Sequence, residues 1–167
     1  MKKRVVIFGD SNTWGYDAAT GGRFNEEIRW PMVAAKLLGS EYRILEEGLC
    51  GRTTCLDDPF NEGLSGLTYL LPCLQTHSPI DMLVIMLGTN DCKQRFSLTA
   101  ANIALGMRRL VKKALEAEVW RDKPNILVIA PGPILKECEL SDVGKNMGIC
   151  SDKSYEIAKE YELIAKE

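Results

Sequence analysis

Three short stretches of this chain carry residue types suited to attack on a carbonyl. Gly9-Asp10-Ser11 follows the apolar run Val5–Phe8. Gly48-Leu49-Cys50-Gly51-Arg52 comes just after the run Tyr42–Glu46. Gly88-Thr89-Asn90-Asp91 follows Met82–Leu87. A serine hydroxyl can attack an acyl carbon, and the oxyanion that forms needs donors fixed about 3 Å from where its charge develops. The backbone N–H of a glycine such as Gly51 is open to approach because no side chain stands in the way. The carboxamide of Asn90 donates without carrying a charge. The N–H of Ser11 itself would be a third donor.

Each stretch taken alone reads as a turn, since Asn, Asp, Ser and Gly favour such bends. The competing reading of "SNTWGY" is a hydroxyl-rich loop holding phosphate or a flavin. Such loops run into a helix whose N-terminus holds the anion, whereas the first helical pattern here begins only at about Arg29. Neither G-x-x-x-x-G-K-[ST] nor G-x-G-x-x-G occurs. Three such stretches in order on successive strand ends favour acyl transfer.

The elements that must position these residues follow from periodicity. Four runs have strand length: Arg4–Phe8, Tyr42–Glu46, Met82–Leu87 and Asn125–Ala130. "DMLVIMLG" and "NILVIAPG" are continuous rather than alternating, as in parallel strands covered on both faces. Helical patterns lie between them. "RWPMVAAKLLGS" has Pro31 near its start and Gly39 at its end. "LSGLTYLLPCLQTH" presents Leu64, Leu67, Leu70, Leu71 and Leu74, with Pro72 inside. "SLTAANIALGMRRLVKKALEAEVW" presents Ile103, Met107, Leu110, Val111 and Leu115. "SDKSYEIAKEYELIAKE" presents Ile157, Ala158, Tyr161, Ile164 and Ala165. The alternation predicts a single α/β domain over residues 1–167, with a parallel sheet sandwiched between helices. Ligands then belong beyond the carboxyl ends of the strands.

Composition narrows the function. A net charge of −2 over 167 residues gives no basic footprint for nucleic acid and no polybasic patch for a membrane surface. The apolar run behind Met1-Lys2-Lys3-Arg4 is too short for a signal peptide, so a cytoplasmic location is expected. Six cysteines without C-x-x-C spacing, and one histidine, His77, give no zinc-site pattern. Free, buried thiols are expected.

Together these blocks resemble the GDSL, or SGNH, hydrolases, and within them the arylesterase/acyltransferase branch. "FGDSNTWGY", "RWPMVAAKLLG", "EEGLCGRTTCLDDP", "GLTYLLPCLQTHSPID", "VIMLGTNDCK" and "IALGMRRLV" carry the likeness, in detail from Lys2 to about Leu115. The resemblance implies a flavodoxin-like three-layer sandwich with strand order 2-1-3-4-5. It implies Ser11 as nucleophile and an oxyanion hole of the Ser11 N–H, the Gly51 N–H and the Asn90 side chain. Asp91 would support its loop, while Trp14 and the segment Pro131–Cys150 would shape the acyl pocket. The implied substrate is a small ester, cleaved through an acyl-enzyme and released to water or an alcohol, with no metal or cofactor. O-deacetylation of carbohydrate is the alternative within the same machinery.

One departure stands out. The family's Asp-x-x-His block, which supplies the general base and its orienting carboxylate, does not occur in this sequence. His77 enters the third strand from its amino end. Six residues at about 3.3 Å each put roughly 20 Å between it and the Asn90 rim, while a base must come within about 3 Å of the hydroxyl. His77 is therefore expected to be structural, and Cys50 and Cys92 have no histidine to activate them. Three readings follow: an incomplete chain lacking a fifth strand, which is favoured; a broken gene; or a pseudo-hydrolase that binds esters or phosphate without cutting. An incomplete sheet of order 2-1-3-4 would leave "NILVIAP" as an open apolar edge, which a second copy of the chain would cover.

Overall fold

The computed structural model describes residues 1–142 and 144–167. The four apolar runs form four strands, β1 (Lys3–Gly9), β2 (Tyr42–Gly48), β3 (Met82–Met86) and β4 (Ile126–Val128), all parallel and in the order β2-β1-β3-β4. The helices are α1 (Ser11–Trp14), α2 (Trp30–Leu38), α3 (Gly66–His77), α4 (Ala100–Leu115), α5 (Gly144–Met147) and α6 (Ser151–Ile164). Register decides where chemistry can occur. Gly9 lies opposite both Gly48 and Met86, so β1, β2 and β3 end on one level and release their loops side by side.

Alternation along the strands divides the core between the two faces of the sheet. Val6, Phe8, Leu83 and Ile85 are buried with residues of α3, α4 and α6. Val5, Ile7 and Val84 form a smaller cluster with Trp30 of α2. Each fully buried side chain of this size is worth about 1.5–3 kcal/mol. The middle of β3 is buried on both faces, as continuous apolar strands require. β4 departs from that expectation: it is the outer strand, and Leu127 is 44% exposed.

The helical stripes hold with local corrections. Ile103, Met107 and Leu110 of α4 are buried, but Leu115 at its last turn is exposed and Ala114 takes the inward position. On α6, Ile157 and Tyr161 point inward, whereas Ala158 and Ala165 are exposed. Those residues border an open apolar groove beside β4. A helix also begins directly at Ser11, well before Arg29. Asp10 caps it, accepting from Asn12 N at 2.9 Å, and Gly15 ends it at φ +88°. One turn is too short to leave a periodic signal. All six cysteines are free; Cys73, Cys92 and Cys150 are buried as expected, while Cys50 is exposed and Cys55 and Cys138 are half-buried.

An outer apolar strand is a template for pairing with another chain. Concentration-dependent self-association is therefore expected in sedimentation velocity, and Leu127→Lys should weaken it while the circular dichroism spectrum stays unchanged. Association unaltered by Leu127→Lys would place the contact elsewhere.

Candidate active site

The first strand delivers the hydroxyl. Ser11 opens α1, and the buried carboxyl of Asp10 fixes its turn from the preceding position. Gly48 lets the second strand approach this turn: a Cβ there would meet Trp14 N at 2.3 Å. Leu49 N donates to Gly9 O at 3.1 Å, and Arg52 N closes back on Leu49 O at 3.1 Å. Gly51 lies inside that turn at φ +89°, a conformation glycine tolerates.

The third strand supplies the carboxamide. Asn90 begins a short 3-10 turn, Asn90–Cys92, and is almost fully buried. Its Nδ2 donates to Arg52 O at 3.1 Å. That bond uses one amide hydrogen and leaves the second to donate elsewhere. Asp91 does not enter the cavity. It accepts from Thr54 N, 3.0 Å to each oxygen, and from the Thr54 hydroxyl. Burial raises its pKa against the pull of these Thr54 bonds. It serves as the loop support implied by the family resemblance. Tyr161 of α6 donates to Leu87 O at 3.0 Å and holds the start of the same loop.

Arg52 is the residue that sequence reasoning missed. Nearly inaccessible, it donates from Nη1 to Gly9 O at 3.0 Å and to Glu47 O. Its guanidinium lies 4.2 Å from the Phe8 ring centroid and 5.2 Å from that of Tyr69. The available signal was a charged residue within a glycine-flanked strand end, but nothing in the sequence showed that it was buried.

Ser11, Gly51 and Asn90 line one cavity of about 530 Å³, a size typical of small-molecule sites. Thr89 and Cys50 share its floor, and Ile134, Cys138 and Met147 form part of the facing wall. The segment 131–150 thus reaches the pocket as expected, although Val143 lies outside the described residues. Glu139 ties this wall to α6 by accepting from the Ser151 hydroxyl and amide and from Cys150 N; these bonds hold its carboxyl down at about 2. Lys93 also lines the cavity, nearly inaccessible, 3.6 Å from Asp58; burial lowers its pKa.

One expectation needs correction. Tyr16, not Trp14, contributes to the cavity wall. Trp14 instead carries the Arg23 guanidinium 5.0 Å from its ring centroid, because the first turn of α1 directs residue 14 back towards the loop that follows. His77, expected to be structural, does not line the cavity. Its backbone carbonyl accepts from Arg4 at 3.3 Å, while its Nε2 pairs with Glu47 Oε1 at 2.6 Å, beneath α3.

Residues 7–159 match the GDSL-like Lipase/Acylhydrolase family. Among solved structures, the M. smegmatis aryl esterase is 38% identical, with 98% of this chain and 80% of that chain covered at a TM-score of 0.87. Est24, a carbohydrate acetylesterase from Sinorhizobium meliloti, is also 38% identical, with 99% and 80% covered and a TM-score of 0.88. A further carbohydrate acetylesterase family member from the same organism is 35% identical, with 98% and 78% covered and a TM-score of 0.90. No curated protein matches the chain.

Asp10 makes stability at this site pH-dependent. Burial lifts its pKa from the usual 3.8 to about 6, and Oδ2 has no hydrogen-bond partner among the described residues. The folded state holds this proton more tightly than the unfolded chain does. The stability it contributes is therefore full below about pH 4 and is lost as pH rises to about 6, by about 3 kcal/mol. Urea midpoints measured from pH 4 to pH 7 should show Asp10→Asn losing less stability over this range than the parent; parallel profiles would contradict the assignment.

Proposed function

The chain belongs to the GDSL-like lipase/acylhydrolase family, and on that premise we propose that it hydrolyses small carboxylic esters through an acyl-enzyme on Ser11. The family is one of carboxylic ester hydrolases. The observation that carries the finer reading is the convergence of Ser11, Gly51 and Asn90 on one cavity.

In this reading the Ser11 oxygen attacks the ester carbon as its proton passes to water in the cavity, because the Asp-x-x-His base does not occur in this sequence, and turnover by residues 1–167 alone is therefore expected to be low. The carbonyl electron pair moves onto oxygen. That oxyanion accepts from the Ser11 and Gly51 backbone N–H groups and from the Asn90 amide hydrogen not engaged by Arg52. Collapse expels the alcohol or phenol and leaves the acyl group on Ser11. Water then repeats the attack and frees the acid, or an alcohol takes the acyl group instead. His77 is not the base that receives the first proton, because it sits outside the cavity and is paired with Glu47. The apolar wall from Ile134 and Met147 suits a short acyl or aryl group.

A second reading, removal of acetyl groups from carbohydrate by the same residues, is supported by the likeness to Est24 and its relative. Comparing kcat/KM for phenyl acetate and for an acetylated sugar separates the two readings.

With p-nitrophenyl acetate, Asn90→Ala is expected to lower kcat about 10²–10³-fold, as loss of one oxyanion donor does. Quenched-flow mass spectrometry should find an acetyl group on the peptide holding Ser11, and Ser11→Ala should remove it. An acetyl adduct on another residue, or full turnover by Asn90→Ala, would overturn the reading.

A further inference from the structure

Away from the Ser11 cavity, one cluster combines three kinds of metal-ligating side chain. Cys73 and His77 lie four residues apart on α3, and that spacing places them on one helix face. Glu47 meets them from β2, where Leu45 and Glu47 point to the α3 side of the sheet. The Glu47 carboxylate, Cys73 sulfur and His77 ring each offer an atom within 4.8 Å of the other two. We propose that Glu47, Cys73 and His77 bind a divalent transition metal of the zinc class, with a fourth position open to solvent.

The geometry suits tetrahedral coordination. Ligand distances of about 2.0–2.3 Å around zinc separate neighbouring donor atoms by about 3.4–3.7 Å. His77 Nε2 and Glu47 Oε1 are already at 2.6 Å, joined by a proton. A metal would replace that proton and push the pair slightly apart. Thiolate with imidazole selects borderline or soft ions, while hard ions such as magnesium prefer oxygen alone. One thiolate and one carboxylate together neutralise a dication.

Burial and access divide the roles. Cys73 is 1% exposed, so it forms the floor. The side chains of His77 and Glu47 are 21% and 19% exposed, so an ion can reach them. A small hollow of about 170 Å³ lies at the His77 side, lined by Arg4, Arg43, Leu45 and Thr76. These two arginines favour an anion as the fourth ligand. Tyr69, one turn before Cys73 on α3, donates to Glu47 Oε2 at 3.5 Å and supports the carboxylate from outside.

The rival reading is a Cys–His–Glu nucleophile, and the structure opposes it. A nucleophilic cysteine needs exposure and a thiolate. Cys73 has neither, since burial pushes its thiol up to about 12 and Glu47 adds to the effect. A metal reaches the sulfur differently, by displacing its proton on binding.

The untagged, chelator-stripped full chain should be titrated with Co²⁺ and then with Zn²⁺. One equivalent of cobalt is expected to give a sulfur-to-cobalt charge-transfer band and the visible absorption of tetrahedral Co²⁺, both erased by Zn²⁺. Cys73→Ala should abolish the charge-transfer band. His77→Gln and Glu47→Gln should weaken binding by at least the about 10–100-fold that follows loss of an outer-shell partner. Cys92→Ala, a buried thiol outside the cluster, should change neither. Thermal melts show which variants fold, and if Cys73→Ala does not, the parent titration and Glu47→Gln decide. Absence of the sulfur band in the parent, or its survival in folded Cys73→Ala, would overturn the proposal.

Discussion

A single buried residue, Arg52, ties the three strand ends together. Arg52 leaves the β2 loop and donates to Gly9 O at the end of β1 and to Glu47 O near the end of β2. Its own carbonyl accepts the Asn90 amide from the β3 loop. Taking a cation out of water is costly, and burial lowers the pKa of Arg52 accordingly. The carbonyl acceptors and the faces of Phe8 and Tyr69 offset that cost. Hydroxyl, bare amide and carboxamide hold their relative positions because this one residue bonds the ends of β1 and β2 through its side chain and the β3 loop through its backbone carbonyl. Asp91 adds a second tie by gripping Thr54 beyond it.

The tie works because the sheet brings its ends level. Gly9 opposite Gly48 and Met86 is a register fixed by inward alternation along β1 and β3. The β4 side does different work: after that strand the chain crosses over the cavity and builds its far wall, anchored on α6 through Glu139. The residues proposed for catalysis thus come from the centre of the sheet. The facing wall of the cavity comes from the longer connection, the usual division between scaffold and loop.

How much of this was legible follows from the kind of signal each feature leaves. Continuous apolar runs marked β1, β3 and β4, and what followed the strands marked Ser11, Gly51 and Asn90, because a strand end is a place that sequence can specify. Resemblance supplied the strand order. Side-chain direction was not legible. Tyr16 rather than Trp14 faces the cavity because the one-turn helix α1 rotates the chain, and a single turn has no periodicity to read. Ala158, Ala165 and Leu115 fit a helical stripe but meet no opposing layer beside the outer strand. Arg52, and the meeting of Glu47 with Cys73 and His77, depend on long-range packing between strand and helix that no local spacing encodes.

In the proposed reaction one anionic oxygen, borne by the group bonded to Ser11, sits between the Gly51 nitrogen and the Asn90 amide. A crystal structure of the protein treated with an organophosphonate ester tests it directly. A phosphorus–oxygen bond to Ser11 is expected, with the phosphoryl oxygen within about 3 Å of Gly51 N and Asn90 Nδ2. A phosphoryl oxygen turned to solvent, with both donors engaged elsewhere, would contradict it.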